Sequence, residues 1–167
     1  MIRGLRLKRE DEIVVLKKRI EERLGEILRK QGIISKDQLK QALEFQQMEG
    51  GLLGEILIQL GYVSELDIAQ AIVSQYGFPF MLVENYTLNP EAAKLVPENV
   101  VRQYRIVPID IIGDILIVVM SNPLNANAIE DVEMLSKKKV QVFIGVITSI
   151  NDAINKLYTK QNKVDPE

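Results

Sequence analysis

Residues 23–46 and 52–75 are two copies of one 24-residue segment, RLGEILRKQGIISKDQLKQALEFQ and LLGEILIQLGYVSELDIAQAIVSQ, set at an offset of 29. Ten of the 24 aligned positions are identical, where ordinary residue frequencies give roughly one or two by chance. Three further pairs, Ile34/Val63, Leu39/Ile68 and Leu43/Ile72, exchange one aliphatic side chain for another. A duplicated unit of this length folds twice in one way and buries its apolar face on its neighbours. Each copy reads as helix, turn, helix. Leu24, Ile27 and Leu28, and in the second copy Leu53, Ile56, Leu57 and Leu60, hold the i, i+3, i+4, i+7 spacing of one buried face. Gly32 and Gly61 follow at the positions where a helix ends with positive φ. Ser35 and Ser64 then stand as N-caps, Gln38 completing a capping box and Asp67 a weaker version. The second helices carry Leu39, Ala42, Leu43 and Gln46, or Ile68, Ala71, Ile72 and Gln75, on one stripe. Two pseudo-symmetric helical hairpins packed on each other are therefore expected.

Composition narrows the chemistry. Across 167 residues the 21 Lys and Arg against 23 Asp and Glu leave a net charge of −2, so there is no global positive field to hold a DNA or RNA duplex by counterion release. Neither cysteine nor histidine occurs. Disulfides, thiol nucleophiles, serine-histidine triads and sites built on thiolate or imidazole ligands are excluded with them. No apolar run approaches the roughly 20 residues of a membrane span; the longest, Ile115 to Met120, is of strand length. Met1 to Glu10 is basic but leads straight into Asp11-Glu12, without the apolar stretch of a secretory signal. A cytoplasmic location is the expectation.

Beyond Gly77-Phe78-Pro79 the period changes. Phe80 to Val83 is a strand candidate, Asn89-Pro90 opens a helix as cap and first residue, and Pro97 starts another reaching Gln103. Ile106 to Ile112 and Ile115 to Met120 flank Gly113-Asp114, a hairpin signal. Residues 126–135 have helical spacing, Val140 to Ile144 reads as a strand, and Thr148 as the cap of a helix ending near Tyr158. The fold class is α+β: a helical lobe of two repeated hairpins, then a small α/β sandwich with a mixed sheet. The divisions are a charged helix or extension at 1–22, the repeat lobe at 23–77, the α/β lobe at 78–158 and a polar tail at 159–167. The acids Glu130, Asp131 and Glu133 read as a solvated helix face, and no metal site is expected.

Packing alone accounts for much of the repeat, with Gly25 and Gly54 letting helices approach and Gln46 and Gln75 closing helix ends. It does not account for the same Leu-Gly opening and the same closing Gln at one spacing in both copies, since packing tolerates many exchanges. The motif Arg-Leu-Gly-x-x-Leu to Ala-Leu-x-x-Gln at 23–46, repeated after the five-residue spacer Gln47 to Gly51, is similar to the cyclic di-GMP-binding N-terminal domain of the MshE-type ATPases. That domain also occurs in type II secretion and type IV pilus assembly ATPases of the GspE and PilB kind, and the resemblance runs to about Tyr158, through Ser121-Asn122-Pro123-Leu124.

The resemblance implies a non-catalytic regulatory domain in which a two-fold dinucleotide meets two copies of one motif. Arg23 would engage a guanine edge. Leu24, Leu39, Leu43, Leu53, Ile68 and Ile72 would form apolar walls, Gly25 and Gly54 would admit backbone to the ligand, and Gln46 and Gln75 would supply amide hydrogen bonds. Its implied partners are cyclic di-GMP and secretion or pilus assembly proteins at the inner membrane. The chain departs from the pattern at position 52, where the second copy opens with Leu instead of a basic residue. That favours the alternative, a docking module without ligand that contacts an inner-membrane platform protein. None of the ten glycines precedes a lysine, so the Walker A loop of an ATPase is missing. Met1 and the polar tail read as the ends of a free-standing product more than as a piece of a longer ATPase.

Overall fold

The computed structural model describes residues 23–161; the expectations for 1–22 and for the tail beyond 161 fall outside the described residues. The chain divides into two units, with the boundary between Ser64 and Glu65.

In the first unit, α1 is helical over residues 23–30, and α2 (Lys36–Glu49) and α3 (Leu53–Gln59) follow, packed on each other. The turns obey the local chemistry of the repeat. Gly32 and Gly61 take φ of 73° and 74°. The amides that follow them bond back in the same pattern, Ile33 N to Leu28 O at 2.9 Å and Tyr62 N to Leu57 O at 3.0 Å. That is the glycine-terminated helix end, satisfying carbonyls that the helix itself leaves open. At the start of α2 the capping box is complete: Gln38 N donates to Ser35 Oγ at 3.1 Å and Ser35 N to Gln38 Oε1 at 2.8 Å. Leu28, Leu53, Leu57 and Ala42 are fully buried, with Leu24, Ile27, Ile34, Leu39, Ile56 and Val63 close behind.

The second unit opens with α4 (Glu65–Tyr76) and holds a three-stranded mixed sheet, β1 (Ile106–Ile112), β2 (Ile115–Met120) and β3 (Lys139–Ile144). Strand order is β1-β2-β3, β1 antiparallel and β3 parallel to β2. The hairpin falls where Gly113-Asp114 placed it. Gly113 has φ of 59° and Asp114 is not in the positive-φ region, the arrangement of a type II′ turn. Between Pro108 and Asp110 the register slips by one residue. The bulge leaves the Ile109 carbonyl to accept Asn89 N at 2.9 Å, which anchors the segment leading into α5 (Pro90–Ala93). α6 (Glu98–Tyr104) precedes β1, α7 (Ala126–Ser136) joins β2 to β3, and α8 (Ile147–Gln161) packs on the sheet and on α5 and α6.

Two local expectations are corrected. Phe80 to Val83 is no strand: Phe80 forms one parallel bridge with Ile144, and a 3-10 turn at Val83–Asn85 follows. Pro79 has no amide to extend a ladder, and the pairing amounts to Met81 N to Ile144 O and Ile144 N to Pro79 O, both 2.9 Å. Thr148 lies inside the first turn of α8, which begins one residue earlier. Eight helices and this mixed sheet among the described residues make the class α+β, as expected. No helix among them is long and apolar enough to cross a membrane.

Tyr158, on α8, closes the core of the second unit. It is 3% exposed, and its hydroxyl donates to Val96 O at 2.8 Å and Ala93 O at 3.1 Å. Burial, reinforced by Glu98, pushes the phenol above its ordinary range. An acid whose folded pKa is raised stabilises the fold below its unfolded pKa, about 10 for tyrosine, and loses that contribution as pH climbs above it. Urea midpoints between pH 8 and 11 should therefore fall in the native protein and fall less in Tyr158→Phe. That variant is also expected to be less stable by roughly 1–3 kcal/mol at pH 8, because the one O–H shared between two buried carbonyls is lost. Parallel alkaline limbs in the two proteins would refute the assignment.

Candidate functional site

The sequence places its candidate residues on α1 to α4, and the structure sorts them by burial. Leu24 (4% exposed), Leu39 (9%) and Leu53 (fully buried) are core side chains of the first unit. They meet around Gly25: a Cβ there would stand 2.7 Å from Leu39 Cδ1 and 3.3 Å from Leu53 Cδ2. The approach of α1 to α2 and α3 is so close that a side chain here fits only if the Leu39 end turns aside. Arg23 is exposed one residue earlier, while Leu43, Gln46 and Gly54 are half-buried. Ile68 (7%) and Ile72 (fully buried) belong to α4 in the second unit, where Gln75 is exposed. Of the candidate side chains, Arg23 and Gln75 are exposed and Leu43 and Gln46 partly so, each on its own unit. The buried aliphatics hold the helices that carry them.

Gln46 has a structural task that its spacing did not reveal. Its Nε2 donates to Gly51 O at 2.9 Å, across a spacer in which Gly50 and Gly51 have φ of 74° and 102°. The amide closes the turn between α2 and α3. Arg29, a basic residue one turn along α1 from Arg23, is held by Glu26 at 3.0 Å. The hydrogen bond from Arg29 holds the Glu26 carboxyl below the usual carboxylate range. Leu52 occupies the N-cap of α3 with no side-chain cap and is 36% exposed. The two copies therefore present different surfaces at equivalent positions, a guanidinium at Arg23 and an aliphatic side chain at Leu52.

Contacts distant in sequence carry the remaining signals. Glu65 Oε1, at the start of α4, accepts Thr148 N at 3.0 Å and Thr148 Oγ1 at 2.8 Å. A carboxylate 83 residues away thus caps the α8 amino end, complementing the helix dipole. Glu65→Ala should speed amide exchange at Thr148 and lower stability by roughly 1 kcal/mol; unchanged exchange there would rule the cap out. Asp110 accepts Tyr86 Oη at 2.8 Å, Asn89 Nδ2 at 3.2 Å and Ile111 N at 2.8 Å, donors that hold its carboxyl below the usual range. A cavity of about 220 Å³ lies between the 3-10 turn and α8, lined in part by Glu84, Tyr86, Asp152 and Lys156. Of the α7 acids, Asp131 accepts the Tyr104 hydroxyl and Glu133 Oε1 the Val140 amide at 3.0 Å.

Comparison with known proteins agrees with this architecture. The model of the MshEN domain family matches residues 76–163, more than half of the 167. The chain belongs to that family. A solved structure of MshE with cdg (cyclic di-GMP) is 30% identical and superposes with a TM-score of 0.66, covering 81% of this chain and 98% of that one. The N-terminal domain of XpsE, at 21% identity and a TM-score of 0.67 over 82% of this chain and 94% of its own, shares the fold. The type IV pilus assembly ATPase PilB of Myxococcus xanthus is 32% identical over 139 residues, or 83% of this chain. The chain spans a quarter of that relative's length.

Proposed function

We propose that the chain is a non-catalytic, cytoplasmic regulatory domain that binds cyclic di-GMP through its duplicated motif and links it to a type II secretion or type IV pilus-like assembly system. The likeness to MshE with cdg over 98% of that chain carries the reading, and the duplication in the sequence supports it by offering one motif for each half of a two-fold ligand. Arg23, exposed at the start of the described part of α1, would meet a guanine edge, for which its planar fork is suited. Leu43, Gln46 and Gly54, with Gln75 from α4, would complete the contacts. Leu24, Gly25, Leu39, Leu53, Ile68 and Ile72 would set the helix positions behind them.

Titration calorimetry with cyclic di-GMP tests the reading. The expected result is binding at micromolar or tighter affinity, abolished by Arg23→Ala. Leu52 favours a second reading, a docking module for an inner-membrane platform protein that has lost its ligand. Absence of heat at high ligand concentration would select it.

A further inference from the structure

The two copies of the repeat share an apolar frame but not a charge. Residues 23–46 hold five basic side chains against three acids, and residues 52–75 hold no basic side chain against three acids. At the offset of 29, Arg23, Arg29, Lys30, Lys36 and Lys40 give way to Leu52, Ile58, Gln59, Glu65 and Ala69. All five cations of the first copy are exposed, so the exchange alters the surface of the copy and leaves its core. The matching apolar positions keep their burial: Leu24 and Leu53, Leu28 and Leu57, Leu39 and Ile68 are buried in both copies.

The polar groups that open and close the motif diverge as well. Among the described residues Arg23 joins no ion pair, and its counterpart Leu52 stands at the α3 N-cap with no side-chain bond. Of the closing amides, Gln46 donates to Gly51 O at 2.9 Å and Gln75 is exposed. The first copy offers a guanidinium; the second offers an aliphatic side chain and an amide. Purine edges distinguish these groups. Guanine presents two acceptors, O6 and N7, which match the paired donors of a guanidinium. Adenine presents N7 and an N6 amino donor, which match the donor and acceptor of an amide. A guanine set against the second copy meets no cation of that motif, and an acceptor desolvated without a partner weakens binding.

We propose that the chain selects guanine with its first copy only and takes adenine at the second at least as well as guanine. A mixed cyclic dinucleotide of one guanine and one adenine is then bound no less tightly than cyclic di-GMP. The inference rests on the reading of the duplicated motif as a cyclic dinucleotide site and names the bases that its two halves accept.

Calorimetry on the full chain with three probes tests it: cyclic di-GMP, cyclic di-AMP and the mixed cyclic dinucleotide. The mixed ligand should bind as tightly as cyclic di-GMP or more so, and cyclic di-AMP about tenfold more weakly than the mixed ligand. Arg23→Ala should bring the mixed ligand down to the level of cyclic di-AMP, since the preference for one guanine comes from that side chain. Leu52→Arg should make cyclic di-GMP bind about tenfold more tightly than the mixed ligand. Both substitutions lie at exposed positions, and circular dichroism checks that the variants fold. Cyclic di-GMP bound several-fold more tightly than the mixed ligand by the native protein overturns this inference alone, as does cyclic di-AMP bound as tightly as the mixed ligand. Binding of the mixed ligand without binding of cyclic di-GMP supports the inference and removes cyclic di-GMP as the ligand. If none of the three binds, the dinucleotide site itself is refuted and the inference falls with it.

Discussion

Arginine in place of Leu52 is expected to tighten cyclic di-GMP binding by roughly tenfold to a hundredfold. The first copy of the repeat offers an exposed guanidinium at Arg23, and the equivalent position of the second is an exposed leucine at the α3 N-cap. A charged bidentate contact to a guanine edge is worth about 1–3 kcal/mol, and each 1.4 kcal/mol is about a factor of ten in affinity. Backbone strain is not expected, since Leu52 has φ of −90° and ψ of 133°, open to any L residue. Its partly exposed side chain can be replaced without opening the core. Arg29 cannot substitute for the missing group without leaving Glu26. Calorimetry on native protein, Leu52→Arg, Arg23→Ala and the double variant separates the possibilities. If two equivalent half-sites exist, Leu52→Arg restores part of what Arg23→Ala removes. If Leu52→Arg changes nothing while Arg23→Ala abolishes binding, position 52 does not face the ligand and the equivalence of the two copies is wrong.

Gly145→Ala should lower stability by about 2–3 kcal/mol, in the range of overpacked cores. A Cβ there would lie 2.6 Å from Val119 Cγ1, with Met81 O at 3.4 Å and Ile150 Cδ1 at 3.6 Å. Val119 is fully buried in the central strand, β-branched and stiff at χ1, so it has nowhere to turn. Gly145 N is also fixed to Met120 O at 3.1 Å, which prevents the backbone from retreating. For a chain of this size the expected fall in melting temperature is on the order of 5–10 °C. Val119→Ala in the same background should recover much of the loss, since it removes the atom that collides. Gly25→Ala is the comparison. Its closest neighbour, Leu39 Cδ1 at 2.7 Å, is the mobile end of a side chain, and alanine gains about 1 kcal/mol of helix propensity. Its net effect should be about 1 kcal/mol or less. Equal effects at the two glycines would show that the rigidity of Val119 is not what matters.

The features legible in the sequence were those set within a few residues. Gly32 and Gly61 end their helices with positive φ, Ser35 and Gln38 form their reciprocal cap, and Gly113-Asp114 turns between two β-branched runs, because each depends on a backbone preference or a bond to a near neighbour. The family was legible for a related reason: the 24-residue motif repeats at a fixed spacing, although the MshEN match begins only at residue 76, beyond that motif. The helical spacing that put Leu24, Leu39 and Leu53 each on the apolar stripe of its own helix agrees with their burial.

What an apolar position does depends on what lies across from it. The same leucines that serve as ligand walls in the sequence reading are buried around Gly25, where three helices converge, and only distant parts of the chain could decide that. The β1 bulge, the closing of the spacer by Gln46 and the Glu65 carboxylate at the start of α8 had no local signature either. The sequence by itself determined the helices, the turns and the duplication, since those follow from propensities and short-range hydrogen bonds. Only the tertiary structure decided which side chains face solvent and which carboxylate caps which helix, because burial and long-range pairing arise where segments remote in the chain come into contact.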